Sequence, residues 1–421
     1  MTTINNEGPK ITYRSDLSPL YKALRKPLHR LRSHIIRIKD NAHPPGSSPL
    51  LERPPRHIGK VTITERKIKL RPRDSSTSIS SLTSNDTPAK SKSEGGEEVI
   101  WLYDFHAPTT EPRRGRRRTR RRSTSSSNSV RTDASERPHT IYYFSGGGFR
   151  QPAASEHWKF CAHLARHLAA EADNVRVTLV SYPLAPAGLA LPILRRWLAW
   201  AVREAEEGGK YEYDMGLEKE TMGKATKRGR GVISLVGDSA GGNIVLSLAL
   251  WYADHLHLTT ASHSARSSDS GSSDSLAAIP PGPTLKSVLA ISPPTDMRCN
   301  NPEISRVDVR DPVLGIENAE DSAGAWSSGS DASDPYLSPS LANLSNLKAS
   351  GVSVNGVIGT ADVLAPDALV FMEKCKEKRI QGEWLIWEDQ MHDFPLAACY
   401  GLKEGKAGRR WVVDRLHNLS S

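Results

Sequence analysis

Cysteine is scarce: Cys161, Cys299, Cys375 and Cys399 are the four in 421 residues, and they lie far apart. Without the close Cys or Cys/His pairs that a zinc site or a disulfide-rich scaffold would show, these thiols read as reduced and mostly buried. No amino-terminal stretch has the apolar core of a signal peptide. No run approaches the roughly 18 apolar residues that span a bilayer. Together these absences predict a soluble, intracellular protein, cytoplasmic in the simplest case. A Lys-Ser/Thr pair is also missing behind the glycine triplet Gly146-Gly147-Gly148, which argues against a phosphate-binding P-loop there.

With 37% apolar and 25% charged residues the chain can bury a sizeable core. Three stretches are too polar and repetitive to join it: 74–97, 109–138 and 259–275, dense in Ser, Arg, Lys or Gly, and read as disordered insertions in one domain. The net charge of +10 is partly local, because eight arginines crowd between Arg113 and Arg122. Such a run suits nucleic acid, an acidic membrane or an import receptor, but no aromatic residues interleave it and no basic helix frames it. It reads as a solvated loop, and no nucleic acid is expected as partner. At the amino terminus Leu17, Leu20, Tyr21, Leu24, Leu28, Leu31, Ile35 and Ile36 recur at helical spacing among Lys and Arg, with an interruption at Pro27. That basic amphipathic helix fits peripheral contact with an anionic membrane, or a cover over the body of the protein. Residues 1–58 are therefore set apart as a basic cap or anchor segment, and 59–421 as the main domain.

Within that domain, strands and helices alternate. Val61–Thr64 and Val99–Tyr103 predict an early antiparallel pair, and His139–Phe144, Val175–Val180, Val232–Val236, Leu285–Ile291, Val352–Ile358 and Glu383–Trp387 predict further strands. Helical patterns fall near 155–170, 191–206, 243–255, 365–377 and 409–416. The Pro/Ser/Asp-rich stretch 296–349 reads as an irregular cap excursion. Such alternation predicts an α/β fold, a mostly parallel central sheet flanked by helices with right-handed crossovers.

Gly237-Asp238-Ser239-Ala240-Gly241-Gly242 sits between a strand and a helix. A serine there occupies a strained turn whose neighbours two residues away must lack bulk, since strand and helix cross closely. Similar letters surround the serine of chymotrypsin-like proteases, where a β-barrel continues and the His and Asp lie upstream. Here a helical run follows, and the candidates lie downstream. Gly359-Thr360-Ala361-Asp362 closes a strand and places a carboxylate at the sheet's carboxyl end, with Asp367 near enough to compete. Gln390-Met391-His392-Asp393-Phe394 follows the last strand and puts His392 at the same edge. The order Ser, Asp, His leaves room for a cap before the acid and one βα unit before the base. Ser145-Gly146-Gly147-Gly148-Phe149, between another strand and helix, offers backbone N–H groups which, with that of Ala240, would stabilise a developing oxyanion. Such chemistry needs no cofactor and no metal. His157, His163 and His167 share one helix; with no acidic partner they read as lining its surface.

These motifs resemble the hormone-sensitive-lipase-like esterases of the α/β-hydrolase fold, a group that includes arylacetamide deacetylases and fungal steryl acetyl hydrolases. The resemblance spans about 139–396. It is carried by Gly146-Gly147-Gly148, Tyr182-Pro183-Leu184-Ala185-Pro186, Gly237 to Gly242, Gly359-Thr360-Ala361-Asp362-Val363-Leu364 and His392-Asp393-Phe394. It implies a Ser239, Asp362 and His392 triad, an oxyanion hole of Gly147, Gly148 and Ala240, and a small to medium apolar ester as substrate. Two departures stand out. Ser145 replaces a family histidine that helps fix the oxyanion loop, and Pro183 and Ala187 replace an Arg and a Glu. A non-catalytic small-molecule binder and a formamidase-like amide hydrolase share the fold and remain alternatives. The pattern leaves oligomeric state open.

Overall fold

A strand buried on both faces must be apolar on both, and His139-Thr140-Ile141-Tyr142-Tyr143-Phe144 meets that demand: Ile141 and Tyr143 face one layer, Tyr142 and Phe144 the other, all buried. In the computed structural model this segment lies near the middle of a ten-stranded sheet. The structure describes residues 8–35, 43–50, 54–70, 98–108, 138–170, 174–206, 231–256 and 284–420. The polar insertions expected at 74–97, 109–138 and 259–275, and the arginine run, lie outside the described residues apart from Pro138.

The strands are β1 (Lys10–Arg14), β2 (His57–Ile58), β3 (Val61–Leu70), β4 (Glu98–His106), β5 (His139–Phe144), β6 (Val175–Ser181), β7 (Val232–Asp238), β8 (Leu285–Ile291), β9 (Ser353–Gly359) and β10 (Glu383–Trp387). They run across the sheet as β1-β10-β9-β8-β7-β5-β6-β4-β3-β2. From β1 to β6 all neighbours are parallel, and β4, β3 and β2 complete one edge as an antiparallel ribbon. The mostly parallel α/β sheet is therefore as expected, and the early strands pair antiparallel over Thr62–Leu70 and Glu98–His106. Strand β1 was not anticipated; its short, half-exposed segment carries little apolar pattern, and only its pairing with β10 defines it.

Helices cover both faces. On one side α3 (Ala187–Glu206), α4 (Ala240–Trp251) and α8 (Ala365–Glu377) bury Trp197, Ile244 and Phe371 against the sheet. The other side carries α1 (Pro19–Ile35), α2 (Ser155–Ala169) and α9 (Lys403–Ser420), with Tyr21, Phe160 and Leu416 buried. Helix α1 runs on through Pro27, which forfeits one backbone donor without breaking it. The stretch 296–349, expected to be irregular, contains α5 (Glu303–Asp308), α6 (Ile316–Ser327) and α7 (Ser345–Ala349). Sparse apolar content hid them: each buries only one or two apolar residues, Ala323 and Trp326 in α6, too few to set up a period. Among the described residues no helix is long and apolar enough to cross a membrane.

Strand order decides where a ligand can sit. After β5 the chain crosses to β6 on one side, then returns to β7 on the other. Loops leaving the carboxyl ends of β5 and β7 thus diverge from adjacent strands and open a crevice between them. Register places Phe144 opposite Gly237, so the glycine triplet and Ser239 emerge side by side.

Candidate active site

Ser239 has φ 50 and ψ −123, a backbone conformation that a non-glycine residue adopts only under strain. It holds because β7 and α4 cross at almost no distance. A Cβ at Gly237 would collide with the Gly241 carbonyl, and one at Gly241 would collide with the Phe144 carbonyl. Ser239 itself precedes the first turn of α4, so the Ala240 N–H has no intrahelical partner and the positive end of the helix faces the hydroxyl.

His392 Nε2 lies 3.0 Å from Ser239 Oγ, and His392 Nδ1 lies 2.9 Å from Asp362 Oδ2. Asp362 is fully buried, and its other oxygen accepts the Leu364 N–H at 2.9 Å. Asp367, the competing carboxylate, borders the same cavity but bonds Asn301 instead, accepting its amide at 2.8 Å. The loop that carries His392 is tied down on both sides. Ala361 N–H donates to the Gln390 carbonyl, Asp389 N–H donates to Thr360 Oγ1, and Arg25 of α1 pairs with Asp389 at 3.0 Å. Burial by itself lowers the basicity of His392, but the charges of Asp362 and Asp393 outweigh it and hold the imidazole well above the usual histidine range.

Four polar residues supporting the site escaped the motif reading. Asp238, next to the nucleophile and fully buried, accepts the Gly146 N–H at 3.0 Å, the Tyr143 hydroxyl, and His157 Nε2 at 3.1 Å. Burial would raise this carboxyl; attraction to His157 and the three hydrogen bonds bring it below its ordinary value instead. One carboxylate thereby joins the elbow, the glycine loop and α2. His157 consequently does not line a helix surface: it is buried, and the Ala154 N–H donating to its Nδ1 at 2.9 Å leaves Nε2–H for Asp238. Its position in α2 gave no sign of this, because the partner is 81 residues away. His163 and His167 lie against each other instead, their ring centroids 4.1 Å apart and the planes tilted by 43°. Among the described residues no group of three His, Cys, Asp or Glu is arranged to hold a metal ion.

The fourth is Asp311, from the stretch before α6. Its Oδ1 accepts Val313 and Leu314 N–H groups at 2.8 and 2.9 Å, and Oδ2 accepts the N–H of Val363, the residue after Asp362. Burial, then the nearby Asp362 charge, pushes this carboxyl up to about 7.

Gly147 and Gly148, at φ 130 and 58, adopt left-handed backbone that glycine reaches without strain. Ser145 is buried, and the Tyr182 hydroxyl donates to its carbonyl at 3.0 Å, while Ala185 N–H donates to the Phe149 carbonyl at 2.9 Å. The Tyr182–Pro186 segment thus braces the glycine loop from outside, at the point where the resemblance leads one to expect a histidine. Phe149 stacks on Trp326 of α6 at 4.4 Å, coupling the same loop to the roof.

Gly147, Gly148, Ser239, Ala240 and His392 all border one cavity of about 720 Å³. Apolar side chains dominate its upper wall: Leu24 and Leu28 of α1, Ile304 of α5, Val313 and Leu314, and Ile316, Ala319 and Ala323 of α6. A strained serine, a base oriented by a buried acid, and backbone N–H groups along an apolar cavity make a site able to carry out nucleophilic acyl transfer.

Residues 141–396 match the model of a family described as alpha/beta hydrolase fold. Among solved structures the chain is similar to an esterase/lipase from an uncultured bacterium, at 18% identity and a TM-score of 0.56, covering 96% of this chain and 99% of that one. It is also similar to EstE5 soaked with p-nitrophenyl butyrate, at 19% identity and a TM-score of 0.54, with the same coverage. An esterase from the bacterial hormone-sensitive lipase family aligns at 18% identity and a TM-score of 0.51, over 76% of this chain and 82% of that one. Among curated proteins, none matches significantly.

Proposed function

The chain belongs to the alpha/beta hydrolase fold family, and on that premise we propose that it is a serine carboxylic ester hydrolase that works through an acyl-enzyme. The observation that carries this reading is the continuous line from Asp362 through His392 to Ser239, at 2.9 and 3.0 Å. His392 Nε2 accepts the Ser239 proton as the hydroxyl attacks the ester carbonyl, and Asp362 fixes the ring's tautomer and stabilises its cationic form. Negative charge on the carbonyl oxygen is met by the N–H groups of Gly147, Gly148 and Ala240, each such donor being worth roughly 3 kcal/mol of barrier. The protonated His392 then passes its proton to the departing alcohol, and a water activated by the neutral ring releases the acid.

A small to medium apolar ester suits the cavity, whose upper wall offers mainly aliphatic surface. Helix α1 serves as part of that wall through Leu24 and Leu28, so the basic amino-terminal segment acts as a cover. Purified protein is expected to hydrolyse short-chain p-nitrophenyl esters and to be labelled at Ser239 by a fluorophosphonate. Ser239→Ala is expected to abolish both. Equal inertness of wild type and variant across an ester panel, with tight ligand binding retained, would instead mark a non-catalytic binder.

A further inference from the structure

The candidate triad leaves one carboxylate unused. Asp393 follows His392 directly, and its Oδ2 lies 3.1 Å from His392 Nε2, the same nitrogen that faces Ser239 Oγ at 3.0 Å. The backbone aims it there. Asp393 has φ 50, a left-handed conformation that Asp tolerates better than most residues, and its N–H donates to Ser292 Oγ at 3.1 Å. Among the described residues the other carboxylate oxygen, Oδ1, is buried without a hydrogen-bond partner.

Resting on the ester-hydrolase reading, we infer that Asp393 is a positioning residue for the base: its carboxylate pairs with the protonated ring at Nε2, the nitrogen that faces the Ser239 hydroxyl, and turnover begins only when the Nε2 proton has left. While that proton is present, Nε2 has no lone pair to accept the serine hydrogen. Its loss to solvent frees the lone pair, Ser239 Oγ–H donates to it, and the hydroxyl becomes a nucleophile. The charges around the pair favour retention. Asp362 faces His392 from the loop after β9, Asp311 from the stretch before α6, and Asp238, His157 and Tyr143 approach Asp393 from β7, α2 and β5. Burial, opposed by His392 and reinforced by Asp238, pushes the Asp393 carboxyl up to about 7.

The sign of the effect follows. His392 works as a base only when neutral, so whatever favours its protonated form raises the pH at which activity sets in. The acid limb of kcat/KM for p-nitrophenyl butyrate is expected above the ordinary histidine value of about 6.5 in wild type. In Asp393→Asn it is expected about one pH unit lower, as for loss of one close opposite charge. Asp393→Gly, free of strain at this φ, is expected to shift it alike, so a folding failure in one variant leaves the other to decide. The rate of Ser239 labelling by a fluorophosphonate is expected to follow the same limb. A side chain that merely packs would change stability and leave the limb in place. A wild-type limb at or below about 6.5, or a limb unmoved in the variants while hydrolysis persists, overturns this inference alone. If wild type neither hydrolyses nor labels at any pH, the ester-hydrolase reading falls and this inference falls with it.

Discussion

The floor and the roof of the cavity enclose the same space by opposite means. At the floor Ser239 is held at φ 50 by two strand–helix approaches that exclude even a methyl group, and Asp238 satisfies three donors with one buried carboxylate. At the roof, short helices and α1 rest on aliphatic contacts and on partly exposed pairs such as Arg32–Asp308, 25% and 19% exposed. Floor interactions are directional and close to backbone, so each has one acceptable partner. Roof interactions are broad and mostly apolar, and a side chain of similar volume replaces another at little cost. On the ester-hydrolase reading, chemistry belongs to the part that cannot vary, and substrate choice to the part that can.

Substitutions at the floor and the roof are expected to differ in kind as well as in size. The largest effect is expected from Asp362→Asn, which leaves the shape intact but spoils the tautomer of His392; kcat is expected to fall about 10⁴-fold. Asp367→Asn, whose carboxylate answers Asn301, is expected to stay within a few-fold in the same steady-state assay. Comparable losses in the two would mean that the floor is less exclusive than its geometry implies. Next comes Gly241→Ala. The added Cβ meets the Phe144 carbonyl, which the sheet holds in place, so unfolding in urea is expected to show a loss of about 4 kcal/mol or complete failure to fold. A loss under about 1 kcal/mol would show that the elbow can relax. Smallest is Leu28→Trp in the roof, expected to keep the fold and lower kcat/KM for p-nitrophenyl octanoate about tenfold relative to the acetate, by filling cavity volume. An unchanged chain-length profile would remove α1 from the substrate wall.

The same contrast governs what could be read from the chain. Strands β5, β7, β8 and β10 are runs whose apolar residues are nearly continuous, and such runs declare themselves in one dimension. Strand β1 and helices α5 to α7 do not, because their burial depends on neighbours hundreds or dozens of residues away. The candidate site divides likewise. Ser239, Gly147, Gly148 and Ala240 lie in motifs whose small residues advertise close backbone approach. His157 sits among two other histidines with nothing to distinguish it, and becomes special only when Asp238 arrives beside it. Asp393 was visible as the letter after His392, yet its bearing on Nε2 depends on a φ of 50 and on Ser292.

The alternation of strand and helix, and the strand–turn–helix setting of Ser239, are legible in one dimension, because hydrophobic period and steric room are local properties. The sequence also left Asp362 and Asp367 as rivals. Tertiary structure alone decided between them for contact with His392, set β5 beside β7 so that the glycine loop meets the serine, and brought a second carboxylate to the base. Strand order and side-chain pairing are relations between distant segments, settled by which faces must be buried and which buried polar atoms must find partners.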